Sequence, residues 1–112
     1  MHELALTCSI VETAASAAQG RPVARVTLVI GRLSGVMVEA VRFCFPEVAR
    51  GTPLDGAALD IEEPAGRARC EHCDAEFSTP DLLTQCACGS YDVMLVAGEE
   101  LLVRSIELKE AP

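Results

Sequence analysis

Tryptophan is absent from this 112-residue chain, and one tyrosine and three phenylalanines are its only aromatic residues. A core built on large aromatic side chains is therefore excluded. Half of the residues are hydrophobic, so burial falls to Val, Leu, Ile and Ala. Basic residues are also scarce: nine Lys and Arg stand against 17 Asp and Glu, for a net charge of −8. Nucleic acid is disfavoured as a partner, because affinity for a polyanion comes from basic side chains that displace counterions. No apolar run approaches the roughly 20 residues that span a bilayer. Residues 1–20 lack the basic start and cleavage site of a secretory signal. The expectation is a soluble cytoplasmic protein that does not engage a membrane. Its length allows one domain, or one domain with a small metal-held insert.

Cysteine is what the chain has in excess. Four of its six cysteines fall between Cys70 and Cys88, as Cys70-Glu-His-Cys73 and Cys86-Ala-Cys88 separated by twelve residues. Two close pairs joined by a polar loop can present four sulfurs to one tetrahedral Zn²⁺. Thiolate–zinc bonds can hold a segment too poor in apolar residues to build its own core. Residues 66–92 fit that description and read as a zinc-ribbon-like domain with Cys70, Cys73, Cys86 and Cys88 as ligands. His72 is the alternative ligand if one cysteine is not used. Gly89 suits the positive φ that a tight chelate turn often needs. Disulfide pairing is the competing reading, and a reducing compartment argues against it. The module is itself acidic: Arg67 and Arg69 stand against Glu71, Asp74, Glu76, Asp81 and Asp92.

Around the insert the pattern alternates between helix and strand. Residues 3–19 read as an amphipathic helix with Leu4, Cys8, Val11, Ala15 and Ala18 on its apolar stripe, closed by Gly20 and Pro22. Residues 24–33 read as a strand, with Val26, Leu28 and Ile30 on one face and Arg25, Thr27 and Val29 on the other. Ser34-Gly35 could cap a second helix over 36–50, whose inner stripe is Val38, Val41, Phe45 and Val48. Pro46 should kink or divide that helix. Cys44, like Cys8, reads as a packed small hydrophobe. Residues 57–63 and 100–109 read as two further strands, the last with Leu102, Ile106 and Leu108 facing inward. The predicted fold is α+β: a three-stranded sheet with two helices on one face, plus the zinc insert. Residues 1–65 and 93–112 form the α/β domain and 66–92 the zinc domain.

Met1-His2-Glu3 opens the chain. A bulky second residue favours retention of the initiator Met, which sets its α-amine beside the His2 amide. Amine, backbone nitrogen and imidazole can then close adjacent chelate rings around one cation. Planar nitrogen-rich sets suit Ni(II) and Cu(II). Glu3 offers a further donor, through its carboxylate or its backbone nitrogen. Such a site would be open and reversible, whereas a four-thiolate zinc site is closed.

Several short stretches together resemble the HypA/HybF family of nickel metallochaperones. They are Met1-His2-Glu3-Leu4, Arg42-Phe43-Cys44-Phe45, Gly51-Thr52-Pro53-Leu54, Ile61-Glu62-Glu63, and a cysteine module closing in Cys88-Gly89-Ser90. The resemblance spans essentially the whole chain. It implies a nickel site with His2 as principal ligand and Glu3 beside it, and structural zinc on the four cysteines; the Met1 amine joins the nickel set through the adjacent chelate rings. It also implies a HypB-like GTPase partner and a [NiFe]-hydrogenase large subunit as recipient, with urease served by some members. The chain departs from the family in two places: its second cysteine pair is C-x-C where C-x-x-C is usual, and Pro46 stands inside the second helix. The implied protein is not an enzyme, and acts as a monomer or weak homodimer. A zinc-ribbon adaptor that only docks proteins is the alternative. A zinc hydrolase fits least, since four thiolates leave no open coordination position.

Overall fold

The central strand is specified by β-branched residues that alternate between two environments. In a computed structural model that describes residues 2–110, β1 (Val23–Ile30) buries Val26, Leu28 and Ile30 completely, while Arg25 is exposed. It pairs in parallel with β2 (Ala58–Glu62), Val26 opposite Leu59 and Leu28 opposite Ile61. On its other side it pairs antiparallel with β6 (Leu101–Leu108). The helix α2 (Val38–Ala49) makes the crossover that a parallel pair requires. With α1 (Glu3–Ala17) it covers one face of this sheet, so the expected α+β layering is found. The core joins Ile10, Val11 and Ala14 of α1, Val41, Phe45 and Ala49 of α2, and Leu54 to the inner face of β1.

Three details depart from the sequence reading. In α1 the buried face is Thr7, Ile10, Val11 and Ala14, with Ala18 just beyond, while Leu4 stays exposed. The Thr7 hydroxyl donates to the Glu3 carbonyl at 2.7 Å, which satisfies its polar group within the helix and lets it enter the core. In α2, Pro46 neither ends nor divides the helix. The stripe Val41–Phe45–Ala49 packs on both sides of it, and burial of that continuous face outweighs the donor Pro46 lacks. In β6 the expected inward Leu102 faces out. The register skips Arg104, with Thr27 opposite Ser105 and Leu28 opposite Val103. A bulge of this kind exchanges the faces of all residues on one side of it. Val103, Ile106 and Leu108 therefore pack on the core.

Apart from Val29 and Leu102, the outer face of the sheet is mainly polar. Arg25 bridges Asp60 at 2.6 Å and Glu107 at 3.4 Å, and Arg104 pairs with Glu62.

Beyond Glu62 the chain builds a second sheet from β3 (Arg67–Cys70), β4 (Glu76–Ser78) and β5 (Val93–Ala97), in the order β4-β3-β5. Residues 93–97, read from sequence as part of the α/β domain, do not join the first sheet. They pair with β3, Cys70 opposite Val93 and Ala68 opposite Leu95. Both sheets share one elongated molecule with principal extents of 59 × 25 × 17 Å. No helix among the described residues is long and apolar enough to cross a membrane.

Candidate metal centres

The cysteine centre is built from two turns of similar design. At the first, the Asp74 N–H donates to the Cys70 carbonyl at 2.9 Å and the Cys70 N–H to the Ala75 carbonyl at 2.8 Å. At the second, the Gly89 N–H donates to the Cys86 carbonyl at 2.9 Å and the Cys86 N–H to the Ser90 carbonyl at 2.9 Å. Each turn passes through a positive φ, at Asp74 (65°) and at Gly89 (96°). The second turn is one residue shorter, yet it closes with the same pair of bonds, so the C-x-C spacing delivers both of its sulfurs. Asp74 escaped the sequence reading. The available signal was its residue type, since Asp is among the few non-glycine residues enriched in left-handed backbone.

The four sulfurs converge. Cys70 and Cys88 approach to 3.7 Å and Cys73 and Cys86 to 3.6 Å, and all four Sγ atoms lie within 4.8 Å of one another. Tetrahedral Zn–S bonds of ~2.3 Å require sulfur separations of about 3.8 Å, so the two closest pairs already match a zinc tetrahedron and the whole set lies within about an ångström of one. These separations are far beyond the ~2.05 Å of a disulfide, and all six cysteines are free. Cys70 and Cys86 are buried, while Cys73 and Cys88 are exposed. His72 is exposed and is not among the clustered donors; its backbone N–H donates to the Cys70 sulfur at 3.4 Å, as does that of Cys73.

Electrostatics at the cluster call for a cation. The Cys73 and His72 N–H groups, opposed by lost solvation, hold the Cys70 thiol down to about 6. At Cys73 the Ala75 N–H also lowers the pKa, but the Cys86 and Cys70 sulfurs and lost solvation outweigh it and push the thiol up. At Cys86 the Cys88 N–H is outweighed in the same way by desolvation and neighbouring sulfurs. Sulfurs this close resist ionising together, and a divalent ion removes that resistance.

The second candidate lies at the other sequence landmark. His2 is exposed and immediately precedes α1, its carbonyl accepting the Leu6 N–H at 3.0 Å. Met1, the first of the expected nickel ligands, lies outside the described residues. Glu3 begins the helix, and its carboxylate accepts the backbone N–H of Met37 at 3.0 Å. That bond, followed by one from the Glu3 backbone, lowers the Glu3 pKa, so the carboxylate is charged at neutral pH. Ser34-Gly35, expected to cap α2, does not do so: the Ser34 hydroxyl takes the Val36 N–H instead. A carboxylate from α1 reaches the start of α2 across 34 residues of sequence, and no local pattern foretold it.

Comparison with known proteins places these features in context. A family model described as "Hydrogenase/urease nickel incorporation, metallochaperone, hypA" matches residues 1–108. Hydrogenase maturation factor HypA of Chlorobaculum tepidum is 45% identical over 113 residues, covering 97% of this chain and all of that protein. The protein of the same name from Geobacter metallireducens is 46% identical over 110 residues, again covering 97% of this chain and all of the relative. Among solved structures, the solution structure of the Ni metallochaperone HypA from Helicobacter pylori superposes with a TM-score of 0.65 at 25% identity. That match covers 96% of this chain and 97% of the other.

Proposed function

The chain belongs to the HypA family of hydrogenase maturation factors, and on that premise we propose that it takes up Ni(II) at its N-terminus and delivers it to a [NiFe]-hydrogenase. Its family is one of metallochaperones, not catalysts. Nickel here is cargo. The ligands are the Met1 amine, the His2 backbone nitrogen and imidazole, and Glu3. Two observations support this set: His2 is exposed at the tip of α1, and the charged Glu3 carboxylate lies at the first position of the same helix. Glu3 offers its carboxylate or its backbone nitrogen as the further donor, and its negative charge, held beside Met37, favours cation uptake nearby.

Zinc is the resident ion, held by Cys70, Cys73, Cys86 and Cys88. It supplies structural cross-linking and no open coordination position. The division of labour follows the two sheets, nickel on the α/β body and zinc on the cysteine module. Delivery requires a GTPase partner resembling HypB and, as recipient, the hydrogenase large subunit; urease is a second recipient. The cytoplasm, where thiols stay reduced, is the matching compartment.

The observation that carries the reading is the exposed His2 at the head of α1 in a chain of this family. Equilibrium dialysis of Ni(II) against the native protein and His2→Ala tests it. A loss of at least about tenfold in affinity, or about 1.4 kcal/mol, is expected, with zinc content unchanged. Equal affinities would remove the proposed site. A docking adaptor is the second reading, favoured by Leu82 and Leu83, which are 57% and 92% exposed. Blocking the N-terminus with a fused tag separates the two, since only the nickel reading predicts loss of hydrogenase maturation.

A further inference from the structure

Two chain segments connect the sheets, residues 63–66 outgoing and 98–100 returning, and a two-strand tether ordinarily permits domain motion. Here both segments are fastened to the end of β1. The Gly31 N–H donates to the Glu100 carbonyl at 2.8 Å, the Leu33 N–H to the Gly98 carbonyl at 2.7 Å, and the Arg32 N–H to the Pro64 carbonyl at 3.0 Å. The Thr79 N–H closes onto the Gly66 carbonyl at 2.9 Å, and the Gly98 N–H onto the Glu100 carboxylate at 2.8 Å.

Three buried glycines make this possible. A Cβ on Gly31 would overlap the Gly98 carbonyl and come within 2.7 Å of the Glu100 carboxylate. One on Gly66 would overlap the Leu33 side chain and meet the Thr79 carbonyl at 2.5 Å. One on Gly98, whose φ is +113°, would stand 2.6 Å from the Gly66 Cα. Most of these obstacles are backbone atoms, which cannot swing aside as side chains do. Three segments therefore cross at backbone contact distance, with the Gly31, Arg32, Leu33 and Gly98 N–H groups all paired.

We propose that this three-glycine joint locks the cysteine module and the α/β body into one rigid unit, so that the sulfur cluster is carried at a fixed direction from the nickel-bearing body. Rotation at the joint would break three bonds to the Gly31–Leu33 segment and unpack Leu33 from Gly66 together. The segment so held runs on to Met37, the residue that Glu3 grips. The open cleft of about 630 Å³ between Arg32, Leu33 and Gly35 on one side and Pro80, Leu82 and Leu83 on the other is fixed by the same joint. None of this depends on which metal the N-terminus carries.

Backbone ¹⁵N relaxation on the zinc-loaded full chain tests the proposal. The native protein should tumble with one elongated diffusion tensor fitting both sheets. Gly66→Ala and Gly98→Ala should keep one zinc per chain but separate the correlation times, the cysteine module reorienting faster than the body. Gly35→Ala is the control: it also has a positive φ (+81°), but its Cβ would meet nothing within 4 Å. It should retain the single tensor. If a glycine variant fails to fold, Glu100→Ala, which removes the Gly98 acceptor without adding bulk, should loosen the module to a smaller degree. Two correlation times in the native protein, native tumbling in all the joint variants that fold, or equal loosening by Gly35→Ala would each overturn the proposal.

Discussion

In the α/β body, Val23, Val26, Leu28, Ile30, Val41 and Leu54 are completely buried, and no sulfur cluster takes part. In the cysteine module the buried side chains are Ala68, Cys70, Thr79 and Cys86, while Leu82, Leu83 and Tyr91 lie open to solvent. One region is held by apolar area removed from water. The other buries few apolar side chains, and its two turns converge at their sulfurs. A chain can thus carry one part whose order follows from side-chain volume and another whose order follows from coordination chemistry.

Stripping zinc, or Cys70→Ser, breaks the comparison most forcefully. Apparent binding energies of structural zinc are about 10–16 kcal/mol at neutral pH, and that energy is folding energy. Amide resonances of 67–97 should collapse into the disordered range while those of β1, β2 and β6 keep their positions; collapse of both regions would show that they are not independently stabilised. Leu28→Ala attacks from the other side. It should cost about 2–5 kcal/mol in urea denaturation of the body, with the zinc stoichiometry unchanged under native conditions. Pro46→Ala is the smallest and has the opposite sign. Restoring a helix donor in α2 should add about 1–3 kcal/mol to the body and leave the resonances of the cysteine module where they are. A loss of stability would mean that the ring packs better than the helix suffers.

Legibility from sequence followed the same divide. The alternation of Val26, Leu28 and Ile30 against Arg25 and Thr27 marked the central strand, because a half-buried strand writes its two faces directly into the chain. The cysteine spacing marked the sulfur cluster for a similar reason, since chelation is local. What escaped was set by partners distant in sequence. The bulge at Arg104 depends on pairing with β1, and the seat of Val93–Ala97 depends on pairing with β3, more than 20 residues upstream. The contact between Glu3 and Met37 depends on how α1 meets α2. Pro46 does not divide α2, because its local penalty is real but smaller than the burial of Phe45 and Ala49 around it.

The elongated outline has a practical corollary for handling the protein. A radius of gyration of 17.4 Å exceeds the roughly 13 Å typical of a globular chain this long. A single copy will drag more solvent than its 11.9 kDa suggests, and so will leave a gel-filtration column early, in the position of a heavier sphere. Stoichiometry inferred from elution alone would overcount subunits, and light scattering gives the true mass.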